Sequence, residues 1–137
     1  MEATKVLKGI PYLFLIFITS CSLGGGYEKA ENAQDAGREF IRATLDGDHQ
    51  KARFYLLQDT TNLLLIDKQQ KNYGQLSSEE KQTRRESNIR PISIQKVNDS
   101  VTNYTYTNSY NPKDTTMIQI VRSDGQWLVD LKSILKD

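Results

Sequence analysis

The chain reads as an α+β protein, with helices in its first half packed on an antiparallel sheet of about four strands in its second. Two patterns carry this. Up to Asn88, apolar residues recur at three- and four-residue spacing and capping residues mark helix starts. Beyond Asn88, apolar and polar residues alternate and turn-forming pairs interrupt them. Helices followed by a strand meander imply helices laid on one face of a sheet.

The elements follow in order. Residues 28–46 form an amphipathic helix whose stripe is Ala33, Ala36, Phe40, Ile41, Thr44 and Leu45, stopped by Gly47. Asp48 caps a shorter helix carrying Ala52, Tyr55, Leu56 and Leu57. Leu63-Leu64-Leu65-Ile66 fits either a buried strand or a helix segment, and helix is the reading taken. Ser77 with Glu80 makes a capping box for a helix ending near Ser87, which lacks an apolar stripe and belongs on the surface. Ile92 and Ile94 alternate, and Val97 falls out of phase as at a bulge. A turn at 98–100 leads into a Thr- and Tyr-rich strand, 101–110, followed by a loop at 110–114 and a strand at 117–122. Asp124-Gly125 is a hairpin signal, and Trp127, Val129 and Leu131 share one face of the last strand. Trp127 is therefore expected in the core.

The first twenty residues are expected to be an address rather than part of the fold. Lys5 and Lys8 precede an apolar run, 10–18, about half the length of a membrane-spanning helix. The run ends in Ile18-Thr19-Ser20-Cys21, which resembles the bacterial lipobox. That resemblance implies cleavage before Cys21 and lipid attached through its thiol, the lone cysteine of the chain. Two or more acyl chains hold a protein stably on a membrane, where one is marginal. Residues 21–27, with Gly24-Gly25-Gly26, then form a flexible tether to a domain at 28–137. No aspartate follows Cys21, so by resemblance to bacterial sorting rules the expected location is the outer membrane, facing the periplasm.

Composition narrows the function classes. The chain has 18 basic and 17 acidic side chains; without residues 1–20, which hold Lys5, Lys8 and Glu2, sixteen of each sign remain. A neutral domain lacks the basic face expected of a nucleic-acid binder. One histidine and one cysteine give no metal site of usual spacing, and no cofactor is implied. His49 follows the expected cap Asp48, a position read as exposed and dispensable, so no catalytic residue is assigned.

The helix ending in Gly47-Asp48, the small Ala52 in the next helix, and the closing hairpin Asp124-Gly125-Gln126-Trp127-Leu128-Val129-Asp130 together resemble the nuclear-transport-factor-like, or cystatin-like, superfamily. In particular they resemble small Bacteroidetes lipoproteins carrying such a domain, over most of 28–135. The resemblance implies a curved sheet wrapped around the helices as a cone. In enzymes of that fold, acids, histidines or tyrosines line the cone.

Three sets of residues are candidates for sites beyond Cys21. Tyr104 and Tyr106 share a strand face, and either stack a flat ligand or fill the core. Asp130 is either an outer-face carboxylate or a polar group in the cone. Thr60, Ser100 and Thr115 each follow an aspartate in short sequences resembling the Bacteroidetes O-glycosylation signal, near expected turns. The sequence thus points to a lipid-anchored envelope protein with a non-enzymatic binding or structural domain, its partner a small ligand or an envelope protein. The alternatives are an unusual enzyme using the cone cavity and an immunity-type lipoprotein that blocks a toxin.

Overall fold

The computed structural model describes residues 26–136, together with the isolated Gly9. The expected signal segment, Cys21 and most of the expected tether lie outside the described residues. No helix among the described residues is long and apolar enough to cross a membrane.

Among the described residues four helices precede four strands: α1 (Ala33–Asp46), α2 (His49–Phe54), α3 (Thr60–Gly74), α4 (Ser78–Arg85), β1 (Ile89–Asn98), β2 (Val101–Asn108), β3 (Asn111–Ser123) and β4 (Gln126–Asp130), closed by a 3₁₀ turn, η1 (Leu131–Lys136). Each helix starts where a side-chain oxygen satisfies a free backbone N–H. Asn32 accepts from the Asp35 N–H, Asp48 from Lys51, Asp59 from Asn62 and Ser77 from Glu80. The Asn32 cap puts the start of α1 five residues later than the apolar pattern suggests, and the chain before it is not helical. The Leu63-Leu64-Leu65-Ile66 run is helical, and α4 buries none of its residues.

The sheet is an antiparallel meander in the order β1-β2-β3-β4. Register pairs Thr102 with Ile120, Tyr104 with Ile118 and Ile120 with Val129, which puts these residues on the face covered by α1. Alanines and Gly37 let α1 sit close: a Cβ at Gly37 would lie 2.7 Å from Ile120 Cδ1. The β3–β4 turn uses positive φ at Asp124 and Gly125 (50° and 74°), the backbone twist that suits a two-residue hairpin. β3 begins at Asn111, so the loop expected at 110–114 is mostly strand, and the hairpin is longer than the alternation implied.

The expected cone does not form. Strands in sequence order leave β1 and β4 at opposite edges of an open sheet. The β4 edge is covered by the segment after α2: the Leu57 N–H donates to the Val129 carbonyl (2.9 Å) and the Val129 N–H to the Tyr55 carbonyl (2.7 Å). The β1 edge stays free, and Ile92, Ile94 and Val97 are 58%, 40% and 55% exposed. A strand that buries so little has no driving force to curl around the helices. Its bulges, between Pro91 and Ser93 and between Lys96 and Asn98, disrupt the edge as a guard against pairing with other chains. The resemblance to the nuclear-transport-factor-like and cystatin-like fold is overturned with the cone.

Trp127 also departs from expectation. It is half-buried beside the first turn of α1, with the Arg122 guanidinium 5.8 Å from its ring centroid, while Val129 and Leu131 take the core positions.

Candidate functional site

Polar side chains from several elements converge in a cleft at the end of the sheet near the β2–β3 turn. The C-terminal half of α1 forms its floor, α3 and α4 two walls, and β2 and β3 the remaining side. The corner between α1 and α2 sets its geometry. Gly47 has φ 73°, and a Cβ there would lie 2.4 Å from the Tyr73 ring, so the turn and the seat of Tyr73 both need glycine. The next corner residue, His49, stands edge-on to Tyr73 with ring centroids 5.5 Å apart.

The α4 wall is fastened from below. Arg42 on α1 donates to the carbonyls of Arg84 (3.2 Å), Arg85 (3.0 Å) and Ser87 (2.7 Å), placing a cation on the carbonyl end of a helix where the dipole favours it. Ser87 Oγ lies 3.1 Å from Ser109 Oγ and accepts from the Tyr110 N–H (3.2 Å), tying the exit of α4 to the β2–β3 turn. The Arg84 guanidinium then rests over the Tyr110 ring, 5.1 Å from its centroid.

The cleft encloses about 340 Å³. Three of its lining residues each bury one polar atom without a partner in the protein: His49 Nδ1, Tyr73 Oη and Asn108 Oδ1. A buried polar atom left unpaired costs roughly 1–3 kcal/mol. Three together are a large fraction of a domain stability of about 5–15 kcal/mol. Burial, and secondly the Arg53 charge, lowers the pKa of His49, which favours a neutral imidazole. Burial pushes the Tyr106 phenol up to about 12, with the facing Thr116 hydroxyl opposing it in part, so Tyr106 remains a neutral donor. Among the described residues no carboxylate lines the cleft, and Arg84 is its one permanent charge.

Compared with protein-family models, with curated proteins and with solved structures, the chain matches none. The site is therefore read from its own geometry.

Of the residues singled out from sequence, only Tyr106 lines this cleft. Tyr104 neighbours it, with ring centroids 5.9 Å apart, but is 1% exposed against Ile120 and Gly37: it is core. Asp130 is buried elsewhere, accepting from Asn62 Nδ2 (3.1 Å) and pairing with Lys132 Nζ (2.9 Å). Asn62 and Lys132 also bind Asp59, a cluster joining the start of α3 to the end of β4, so Asp130 and the tyrosines do not share a site. Thr60, Ser100 and Thr115 are all exposed, on the first turn of α3, the β1–β2 turn and β3 respectively. Cys21 lies outside the described residues. Among the described residues no cluster of His, Cys, Asp and Glu could hold a metal.

His49, Tyr73, Asn108, Tyr110 and Arg84 were not singled out as a site. His49 is half-buried rather than exposed, because Tyr73 from α3 folds over the corner. One signal pointed there. Gln69, Asn72, Tyr73 and Leu76 fall at helical spacing, a mostly polar stripe facing the cleft where an apolar one would have marked core.

Proposed function

We propose that the chain is a lipid-anchored envelope protein whose domain binds a small polar ligand, without catalysis, in the cleft between α1, α3, α4 and the β2–β3 end of the sheet. His49, Tyr73 and Asn108 all line one cleft and each buries a polar atom unpartnered in the protein, which carries the binding reading. A volume near the lower end of small-molecule sites, about 300–1,000 Å³, suits a ligand of one or two rings. Catalysis is disfavoured by the chemistry of the walls: no carboxylate lines them, and the one imidazole has no partner on Nδ1 to fix its tautomer.

The anchor reading rests on sequence: the short apolar run 10–18 and Ile18-Thr19-Ser20-Cys21. It puts the protein on a membrane of the bacterial envelope, with the outer membrane's periplasmic face as the favoured side. Two measurements test the two halves separately. Metabolic labelling with a fatty-acid probe should mark the wild type and not Cys21→Ala; labelling of that variant would overturn the anchor. A fragment library screened by NMR against the full chain in detergent micelles should shift the His49 imidazole and Tyr73 ring signals. A folded protein in which no fragment shifts them would overturn the cleft.

A further inference from the structure

We infer that the cleft recognises a monosaccharide-sized ring bearing a carboxylate, a hexuronate, as a free sugar or at a glycan terminus. The inference rests on the cleft being the binding site and names its ligand class. The unpartnered atoms set the first requirement. Asn108 Oδ1 can only accept, the Tyr73 hydroxyl can donate or accept, and His49 Nδ1 does either according to tautomer. Asn108 Oδ1 calls for a ligand donor, which a sugar hydroxyl supplies and a bare carboxylate cannot, and the same kind of hydroxyl can donate to or accept from the other two. Gln69, Asn72 and Thr116 add amide and hydroxyl groups to the same walls.

Arg84 sets the second requirement. Among the described residues its guanidinium forms no ion pair. The acid one turn earlier, Glu80, is engaged by its capping box, accepting from the Ser77 N–H at 2.7 Å. Stacking on Tyr110 holds the planar guanidinium at the cleft, and its fork of N–H donors matches a carboxylate. With no acid in the lining to repel an anion, a single negative charge on the ligand is favoured.

The test is a titration of the full chain in detergent micelles with D-glucuronate, D-glucose, acetate and inorganic phosphate, followed by calorimetry and by the His49 and Tyr73 NMR signals. Glucuronate should bind at least about tenfold more tightly than glucose, acetate or phosphate, with shifts confined to the cleft. Arg84→Gln should remove that margin over glucose while leaving the melting temperature unchanged, since Arg84 lies on a helix that buries nothing. Glucose binding as tightly as glucuronate, acetate or phosphate binding as tightly, or Arg84→Gln retaining full glucuronate affinity would each overturn the assignment. If glucuronate fails while another small polar fragment shifts the His49 and Tyr73 signals, the ligand class is wrong and the cleft stands. If nothing shifts them, both readings fall.

Discussion

Two ends of the molecule bury polar side chains, and they do so in opposite ways. At one end, Asp59, Asn62, Asp130 and Lys132 answer one another. Asn62 is fully buried, its Nδ2 donates to Asp59 (3.2 Å) and Asp130 (3.1 Å), and its Oδ1 accepts from the Lys132 N–H (2.9 Å). At the other end, His49, Tyr73 and Asn108 each present a buried atom with no partner in the protein. Buried polar side chains therefore form a closed staple in one place and are left unpaired in the other. What separates them is whether the hydrogen bonds close on themselves. A closed network contributes to stability and offers nothing to a ligand; an open one costs stability and offers recognition.

The comparison breaks first, and most visibly, at Asn62. Asn62→Ala removes three hydrogen bonds at once and leaves Asp130 short of a buried donor. It should destabilise the fold by about 2–4 kcal/mol, measured by urea unfolding. Cleft ligands should bind the folded fraction as they bind wild type. A loss under about 1 kcal/mol would mean the cluster is solvated and not a staple.

Gly47→Ala should come next, because it acts on stability and on the cleft together. Positive φ strains any L side chain, by about 1–2 kcal/mol, and the added methyl would displace Tyr73. The expected signature is a lower unfolding midpoint together with altered His49 and Tyr73 ring signals. An unchanged ring-current shift at His49 would show that Tyr73 is not seated on the corner.

How much of this was legible in sequence differs between the two ends. The capping residues Asp48 and Ser77, the helical stripe of α1 and the Asp124-Gly125 turn are local chemistry, and each formed where the sequence placed it. Asp130 was visible as a carboxylate one residue out of phase with the core. Its partner Asn62 lies 68 positions away, and no local pattern joins them. The cleft was harder still. It depends on α3 and α4, whose polar stripes resemble solvated surface until Arg42 and Ser87 fasten α4 to α1 and the β2–β3 turn and Arg53 on α2 pairs with Asp67 on α3. The cone was inferred from short motifs at the two ends of the domain, and those motifs say nothing of β1. The outcome was decided by β1, where Ile92 and Ile94 alternate like a buried strand yet sit with Val97 on an exposed edge.

Tyr73→Phe sharpens the comparison in the opposite direction to Asn62→Ala. The hydroxyl it deletes has no partner in the protein, so its loss removes a desolvation cost and no protein hydrogen bond. Stability should stay level or rise, by up to about 1 kcal/mol, while affinity for the cleft ligand falls. A clear loss of stability would mean the hydroxyl is already engaged within the fold, and the cleft would then look more like the staple.

The smallest expected effect is on pH dependence, where the two ends titrate at different places. In the cleft, burial and Arg53 hold the His49 pKa below its unfolded value. The unfolded chain therefore binds more protons than the folded one in the window between the two, and stability rises with pH there. The contribution is full above the ordinary histidine range and is lost as pH falls through it toward the folded value. At the staple, hydrogen bonds from the Asn62 backbone and then from Lys132 hold Asp59 below the usual carboxylate range. Lys132 is raised, chiefly by its hydrogen bond to Asp59. That pair is therefore silent across neutral pH, fading only as acid protonates Asp59 or as pH climbs past the ordinary lysine range. A melting series from pH 7.5 to 5 should show a modest decline that vanishes in His49→Gln and persists in Asp59→Asn. If the decline persists in His49→Gln, the imidazole is not the group that senses it, and burial in the cleft does not govern the pKa of His49.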